Sequence, residues 1–372
     1  VFSLYSQRMY KDQAQKWSIA TSSLELFGSH LAHFDASQFM QTESAMNGAL
    51  DSTSALPAIT AEVELLEDLL GEGQVFNELM AILTIGAEKA MEQRTNENFG
   101  PQFEHALLAA LRLMLIVFDC DEEVVYAARQ HGGIKAFFTL DEALVRKVDR
   151  MLAIIGYVRY MYNPEIRSCS LRIMSILSDR QQGTLCACLT GAPLAAIKEG
   201  YAAALADALS SNPNALGTDP TSGFNVPPST LGPKFMEDSG ELIMNILVQS
   251  VTQQSPNLAH TLLGYNADNP LASDLETSEY NCFGVLTRML LENAPTERPR
   301  MQEQAANLFY QLCRDERTSE PTMRILRKQP YRLFTDRISI CFKTNLHQRE
   351  VQKEWTDIAG LGRLLHSLIS WP

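Results

Sequence analysis

The chain has 372 residues, 45% of them hydrophobic and 20% charged, a composition that supports a sizeable buried core and places it in the ordinary soluble class. Its 31 Lys and Arg stand against 44 Asp and Glu, a net charge of −13. That balance repels phosphate backbones and anionic membrane surfaces and argues against direct nucleic-acid binding.

The opening "VFSLYSQRMYKDQ" lacks the basic n-region and sustained apolar core of a signal peptide, and its first residue is Val rather than Met, so the expectation is a piece of a longer chain. From there apolar residues recur at helical spacing nearly everywhere, and alternating strand patterns are nearly absent. The spacing predicts helices over 11–34 and 59–70. It also predicts one amphipathic helix through "GQVFNELMAILTIGAEKAMEQR", where Val75, Leu79, Ile82, Leu83 and Gly86 share a stripe and Glu78, Glu88 and Lys89 turn to solvent. Further helices are predicted over 103–118, 142–162, 166–177, 240–252, 301–313 and 351–369. The most apolar run, "ALLAALRLMLIVF" at 106–118, is shorter than the ~20 residues that span a bilayer and contains Arg112, so it reads as a buried helix and no segment is expected to cross a membrane.

Two stretches, 41–57 and 210–234, are rich in Ser, Thr, Gly, Pro and Asn with little apolar content and read as loops or linkers. The second divides the expected domains: a helical-repeat half over 1–209, a flexible loop or linker over 210–234, and a second half over 235–372 that continues the same stack.

Catalytic and metal constellations are missing from the sequence. HExxH, GxSxG and GxxxxGK[ST] do not occur, and "GLGRLL" at 360–365 lacks a third glycine and a preceding strand. "DCDEEVVYAARQ" at 119–130 starts like a calcium loop, but Val124 stands where the turn needs glycine and Gln130 where a bidentate Glu belongs; its acids suit the N-terminus of the next helix. His30 and His33 could share a helix face, but no acid or cysteine lies within a turn of them. "HGG" at 131–133 reads as a helix ending at glycine. Seven cysteines, with no zinc-ligand spacing, read mostly as small buried hydrophobes such as Cys169 and Cys313, without disulfides. "RILRKQPYR" at 324–332 is the one basic cluster and reads as cations at a helix end. The expectation is therefore no enzyme, and no catalytic, cofactor-binding or metal residue.

Two helices resemble each other. "NPEIRSCSLRIMSILSD" and "RPRMQEQAANLFYQLCR" align on Pro164 and Pro299, which matches Ile166 with Met301, Ile173 with Leu308, Met174 with Phe309 and Leu177 with Leu312. Decayed helical-pair repeats of the HEAT or armadillo kind leave such a trace, because stacking needs only the stripe and the turn. "SPNLAHTLLGY" at 255–265 reads as a short helix within such a stack. Ser255 is its expected N-cap, Pro256 its first turn and Gly264 its stop; Leu258, Ala259, Leu262 and Leu263 form the apolar face, and His260 lies off it.

"SPNLAHTLLGY" also resembles a segment of the large inner-ring adaptor nucleoporins, the 192/205 family with its 188 paralogue, on Pro256, Asn257, Leu258, Ala259, Leu262, Leu263, Gly264 and Tyr265. "YKDQAQKWSIATSSLELF" at 10–27 resembles that family's aromatic, Gln-Lys-Trp and Leu-Glu-Leu motif, and "NPEIRSCSLRIMSIL" at 163–177 one of its solenoid helices. The three lie in the family's order and argue for a central fragment of the 192/205 branch. The resemblance implies a superhelical α-solenoid acting as a non-enzymatic scaffold of the nuclear pore inner ring at the nuclear envelope. Its implied partners are other nucleoporins, through short linear motifs of linker nucleoporins. The competing expectation is a mobile HEAT-type module such as a nuclear transport receptor.

Overall fold

The structure is a computed structural model of the chain that describes residues 10–34, 61–130, 138–210, 238–266, 269, 273, 275, 281–291 and 299–328. Helices dominate these residues and no strand occurs among them. In chain order they are α1 (Gln13–Leu31), α2 (Ala61–Leu70), α3 (Gln74–Leu83), α4 (Ala87–Arg94), α5 (Gly100–Phe118), α6 (Asp121–Gln130), α7 (Leu140–Val145), α8 (Val148–Ile155), α9 (Pro164–Cys188), α10 (Gly191–Ser210), α11 (Ser239–Val251), α12 (Leu258–Leu263), α13 (Cys282–Leu291), α14 (Pro299–Arg314) and α15 (Ser319–Lys328). The predicted helix at 351–369, both predicted loops apart from Ser210, "HGG", and "GLGRLL" lie outside the described residues. The chain divides into two compact units, the first reaching Ile173 and the second starting at Met174.

In the first unit, α5 is the centre. α1 lies along it, α3 and α4 pack on it, and α2 and α8 pack on α3. Sixteen of its 19 residues are buried, so a helix of a length and hydropathy that could cross a membrane is the core of this unit. It starts earlier than predicted, at Gly100, with Pro101 in its first turn, where a missing N–H costs nothing. Trp17 of α1 meets Phe103 edge-on at 5.0 Å, and Ala20, Leu24 and Leu31 continue the seam, each at most 3% exposed.

Two predicted helices are each broken. The run through 74–94 is not one helix: α3 stops at Leu83 and α4 starts at Ala87, because Gly86 has φ 81 and ψ 156, a backbone region open almost only to glycine. The break is held from a distance, since Tyr157 donates its hydroxyl to the Leu83 carbonyl at 2.9 Å and accepts the Gly86 N–H at 3.2 Å. The stripe that placed Gly86 beside Leu83 therefore did not exist as a continuous face. The run over 142–162 is α7, α8 and a 3-10 turn over Gly156–Arg159. Thr139 and Glu142 form a reciprocal cap that starts α7 at Leu140, which removes two orphan N–H groups at once.

The predicted helix over 166–177 is the first part of the longer α9, whose backbone leaves the helical region at Gln181 (φ −134, ψ 32). In the second unit α10 packs on α11 and α13 on α14, while α10 also contacts α13 and α11 contacts α14. One helix pair is thus stacked on the next, the relation that defines a helical repeat. Between α11 and α14, Gln304 donates to Asn245 at 2.8 Å. α15 packs on α14 and is the helix whose end the basic cluster at 324–332 predicts, while α10 and α13 are helices that the sequence reading left unassigned.

Candidate functional site

The feature that stands out in the second unit is the joint between the two stacked pairs, where α12 touches α10, α11 and α13. Asn257, not Ser255, caps α12: its Oδ1 accepts the His260 N–H at 3.1 Å. Pro256 therefore precedes the cap rather than occupying the first turn. Asn does this as well as Ser, and its own amide reaches back to the Gln253 carbonyl at 3.3 Å. Gly264 ends the helix at φ 96, as expected of a left-handed stop. The Ser250 hydroxyl of α11 accepts the Ala259 N–H at 3.0 Å and fixes α12 to α11.

His260 is not off the packed face. It is 4% exposed, as buried as Leu258, Ala259, Leu262 and Leu263 in practical terms, because the six-residue helix is enclosed by three others and leaves only Thr261 partly exposed. Its ring meets Tyr265 edge-on at 5.8 Å, Tyr265 meets Phe283 of α13 at 6.1 Å, and Phe283 meets Phe309 of α14 at 5.1 Å. Such edge-to-face pairs each add about 0.5–1.5 kcal/mol beyond their burial. The Tyr265 hydroxyl lies 2.7 Å from that of Thr322 on α15, so this row of rings crosses α12, α13 and α14 and is tied at one end to α15. Burial pushes the Tyr265 phenol well up, the Thr322 contact only partly opposing it.

A nucleophile reading of the same residues fails on geometry. Ser255 Oγ lies 3.3 Å from His260 Nδ1, and Asp315 is the nearest acid by its electrostatic effect. The Asp315 carboxylate, however, caps the following turn, accepting the N–H groups of Arg317 at 2.9 Å and Thr318 at 3.3 Å. Among the described residues His260 Nε2 has no hydrogen-bond partner, so no relay of hydroxyl, imidazole and carboxylate forms there. Burial holds the imidazole below the ordinary histidine value, with Asp315 raising it and Arg317 lowering it.

The other residues singled out in sequence are separate from this joint. His30 gains a partner that sequence proximity did not show: its Nδ1 lies 3.3 Å from Glu62 Oε1 of α2, at an exposed site. His33 is exposed. Among the described residues no three His, Cys, Asp or Glu side chains converge. Of the calcium-like stretch, Asp121 to Glu123 form the first turn of α6, and Asp121, fully buried, accepts the Leu140 N–H at 2.7 Å. Arg112 pairs with Glu165, Nε to Oε1 at 2.8 Å, and Arg94 with Glu104. Cys169, Cys282 and Cys313 are buried, and burial pushes each thiol up to about 12. Arg324 and Arg327 are exposed on α15, while the rest of the basic cluster past Lys328 lies outside the described residues.

All eight residues matched between the two proline-started helices are buried, at 1% exposure or less. Pro164 and Pro299 are the first residues of α9 and α14. The repeated stripe is thus a repeated core.

Comparison with known proteins agrees with this architecture. The chain is 27% identical over 363 residues to the nuclear pore complex protein NUP205 of Arabidopsis thaliana, an alignment that covers 92% of the chain and 18% of that relative. The chain therefore spans about a fifth of the relative's length. The family model for the nuclear pore complex scaffold, nucleoporins 186/192/205, matches residues 1–359. A match over nearly the whole chain, on an all-helical fold with stacked pairs, shows that the chain belongs to the 186/192/205 family of nuclear pore complex scaffold nucleoporins.

Proposed function

We propose that the chain is a non-enzymatic stretch of the pore's inner-ring scaffold, an α-solenoid whose helix pairs present grooves to short segments of other nucleoporins. The observation that carries this reading is the pair-on-pair stack of α10 and α11 on α13 and α14, sealed by α12. Stacked pairs bury a continuous core and leave interhelical grooves that accept an apolar helix or an extended motif. No catalytic, cofactor-binding or metal-binding residue is part of the proposal. The division into halves over 1–209 and 235–372, joined through 210–234, is part of it.

The family match favours a fixed scaffold over the mobile transport-receptor reading. Capture from a nuclear envelope extract, with the chain as bait, separates the two. The scaffold reading expects nucleoporins to be retained and a tagged chain at the nuclear rim to exchange slowly; retention of cargo complexes with exchange in seconds overturns it.

A further inference from the structure

His260 sits at the joint as a group that packing alone does not require. One ring nitrogen faces the Ser255 hydroxyl at 3.3 Å, the other is buried without a partner, and the ring edge lies on Tyr265. A neutral ring suits this setting, with its proton on Nδ1 toward Ser255 and only a lone pair unfilled. A second proton adds a buried N–H with nothing to accept it and a charge with little to balance it.

The surrounding elements supply no compensation. The turn between α14 and α15 brings Asp315 and Arg317, of opposite sign, and Asp315 is already bound to two backbone N–H groups. Lys198 of α10 and Cys282 of α13 act on each other, while Glu199 and Asp207 of α10 and Arg288 of α13 are exposed. On α11, Glu241 lies 3.9 Å from Arg300. Tyr201 of α10, Tyr265 and Cys313, further titratable groups in this region, stay neutral, since burial raises all three.

We propose that His260 is a proton-sensitive latch: the neutral ring holds α12 in its seat between α10, α11 and α13, and the second proton releases it and loosens the joint between the stacked pairs. The sign follows from the environment. Burial lowers the folded-state proton affinity below that of an ordinary histidine, so the latch's contribution is complete above about pH 6.5 and is lost as pH falls further. The consequence is local, because α12 reaches its neighbours through the Ser250 contact, the Asn257 amide on the Gln253 carbonyl and its apolar side chains.

Amide hydrogen exchange on the 372-residue chain at about pH 7.5 and about pH 5.5, corrected for intrinsic rates, tests this. Protection over 258–263 should fall severalfold, up to the limit of about tenfold that one proton sets, at the lower pH, while α5 in the first unit keeps its protection. His260→Gln, which cannot take the proton, should abolish the difference. Should that variant fail to fold, ring NMR of the unsubstituted chain reads the same property: His260 should titrate below the ordinary histidine value. Unchanged α12 protection across the range, or a His260→Gln chain that loses protection as the original does, overturns the proposal. So does a His260 ring that titrates at the ordinary histidine value or above it.

Discussion

Tyr157 and Gly86, 71 residues apart, meet through a single hydroxyl: the Gly86 N–H donates to Tyr157 Oη at 3.2 Å while that oxygen donates to the Leu83 carbonyl at 2.9 Å. One side chain thus satisfies both backbone groups that the end of α3 leaves without partners. Tyr157 is fully buried, and burial drives its phenol well above the ordinary value, with the Gly86 N–H only partly opposing the shift. Tyr157→Phe should therefore lower stability by about 1–3 kcal/mol, the cost of a buried polar group left unmade. Denaturant unfolding measures it; a change below about 0.5 kcal/mol would mean that water replaces the hydroxyl.

Gly86 carries a separate expectation. A Cβ there meets nothing within 4 Å, so space is not the constraint, yet φ 81 with ψ 156 is a conformation that L side chains avoid. Gly86→Ala should cost about 1–3 kcal/mol from backbone strain alone. Calorimetry should show the loss, and a chain as stable as the original would mean that the α3–α4 corner has another backbone solution.

Arg112 of α5 and Glu165 of α9 form a buried pair, with side chains 8% and 16% exposed. Arg112→Met leaves a carboxylate in the core and should destabilise by about 3–5 kcal/mol. Adding Glu165→Gln should restore a large part of that loss, because the orphaned charge is the main cost. A double-mutant cycle in urea reads the coupling; additive losses would show that the two side chains act independently.

At the joint, Leu262→Ala should cost about 2–5 kcal/mol through lost burial and the cavity left. His260→Ala belongs in the same class rather than among neutral surface changes, since it empties a buried site beside Tyr265. Thermal unfolding of both variants ranks them. A His260→Ala chain indistinguishable from the original would contradict the burial described for α12.

The thiols give a chemical readout. Cys169, Cys282 and Cys313 are buried and pushed up to about 12, which leaves about one thiolate in ten thousand at pH 8 even before access is considered. Cys186 and Cys188 are only partly buried. Native alkylation followed by mass spectrometry should label these two before Cys169, Cys282 and Cys313, and early modification of Cys282 would mean that the contact between α10 and α13 opens readily.

What the sequence revealed and what it concealed follow from the range of the interactions. Helical periodicity is local, so the stripes around Leu24, Ile173 and Leu308 were legible and their burial follows from them. The repeat was legible for the same reason, as a stripe that recurs after a proline. The break at Gly86 was not, because it depends on Tyr157, a partner that is distant in sequence. Thr139 and Glu142 do carry a readable signal, a threonine followed three residues later by glutamate. His260 was misplaced because a helical wheel assumes a broad solvent side, whereas this six-residue helix inside a joint leaves only Thr261 partly exposed. The Glu62 partner of His30 and the Leu140 partner of Asp121 are tertiary contacts that no spacing encodes.

The seam between α1 and α5 has a consequence for how the chain is made. Trp17 and Phe103, which meet at 5.0 Å, are separated by 86 residues (17 to 103). At translation rates on the order of 5–20 residues per second, Trp17 leaves the ribosome roughly 4–17 seconds before its partner. Through that interval the nascent α1 carries Trp17, Ala20, Leu24 and Leu31 on one stripe with no seat to cover them. The first helix to be synthesised in this seam thus waits for its main seat until α5 has emerged, and its stripe is what a chaperone at the exit tunnel would hold.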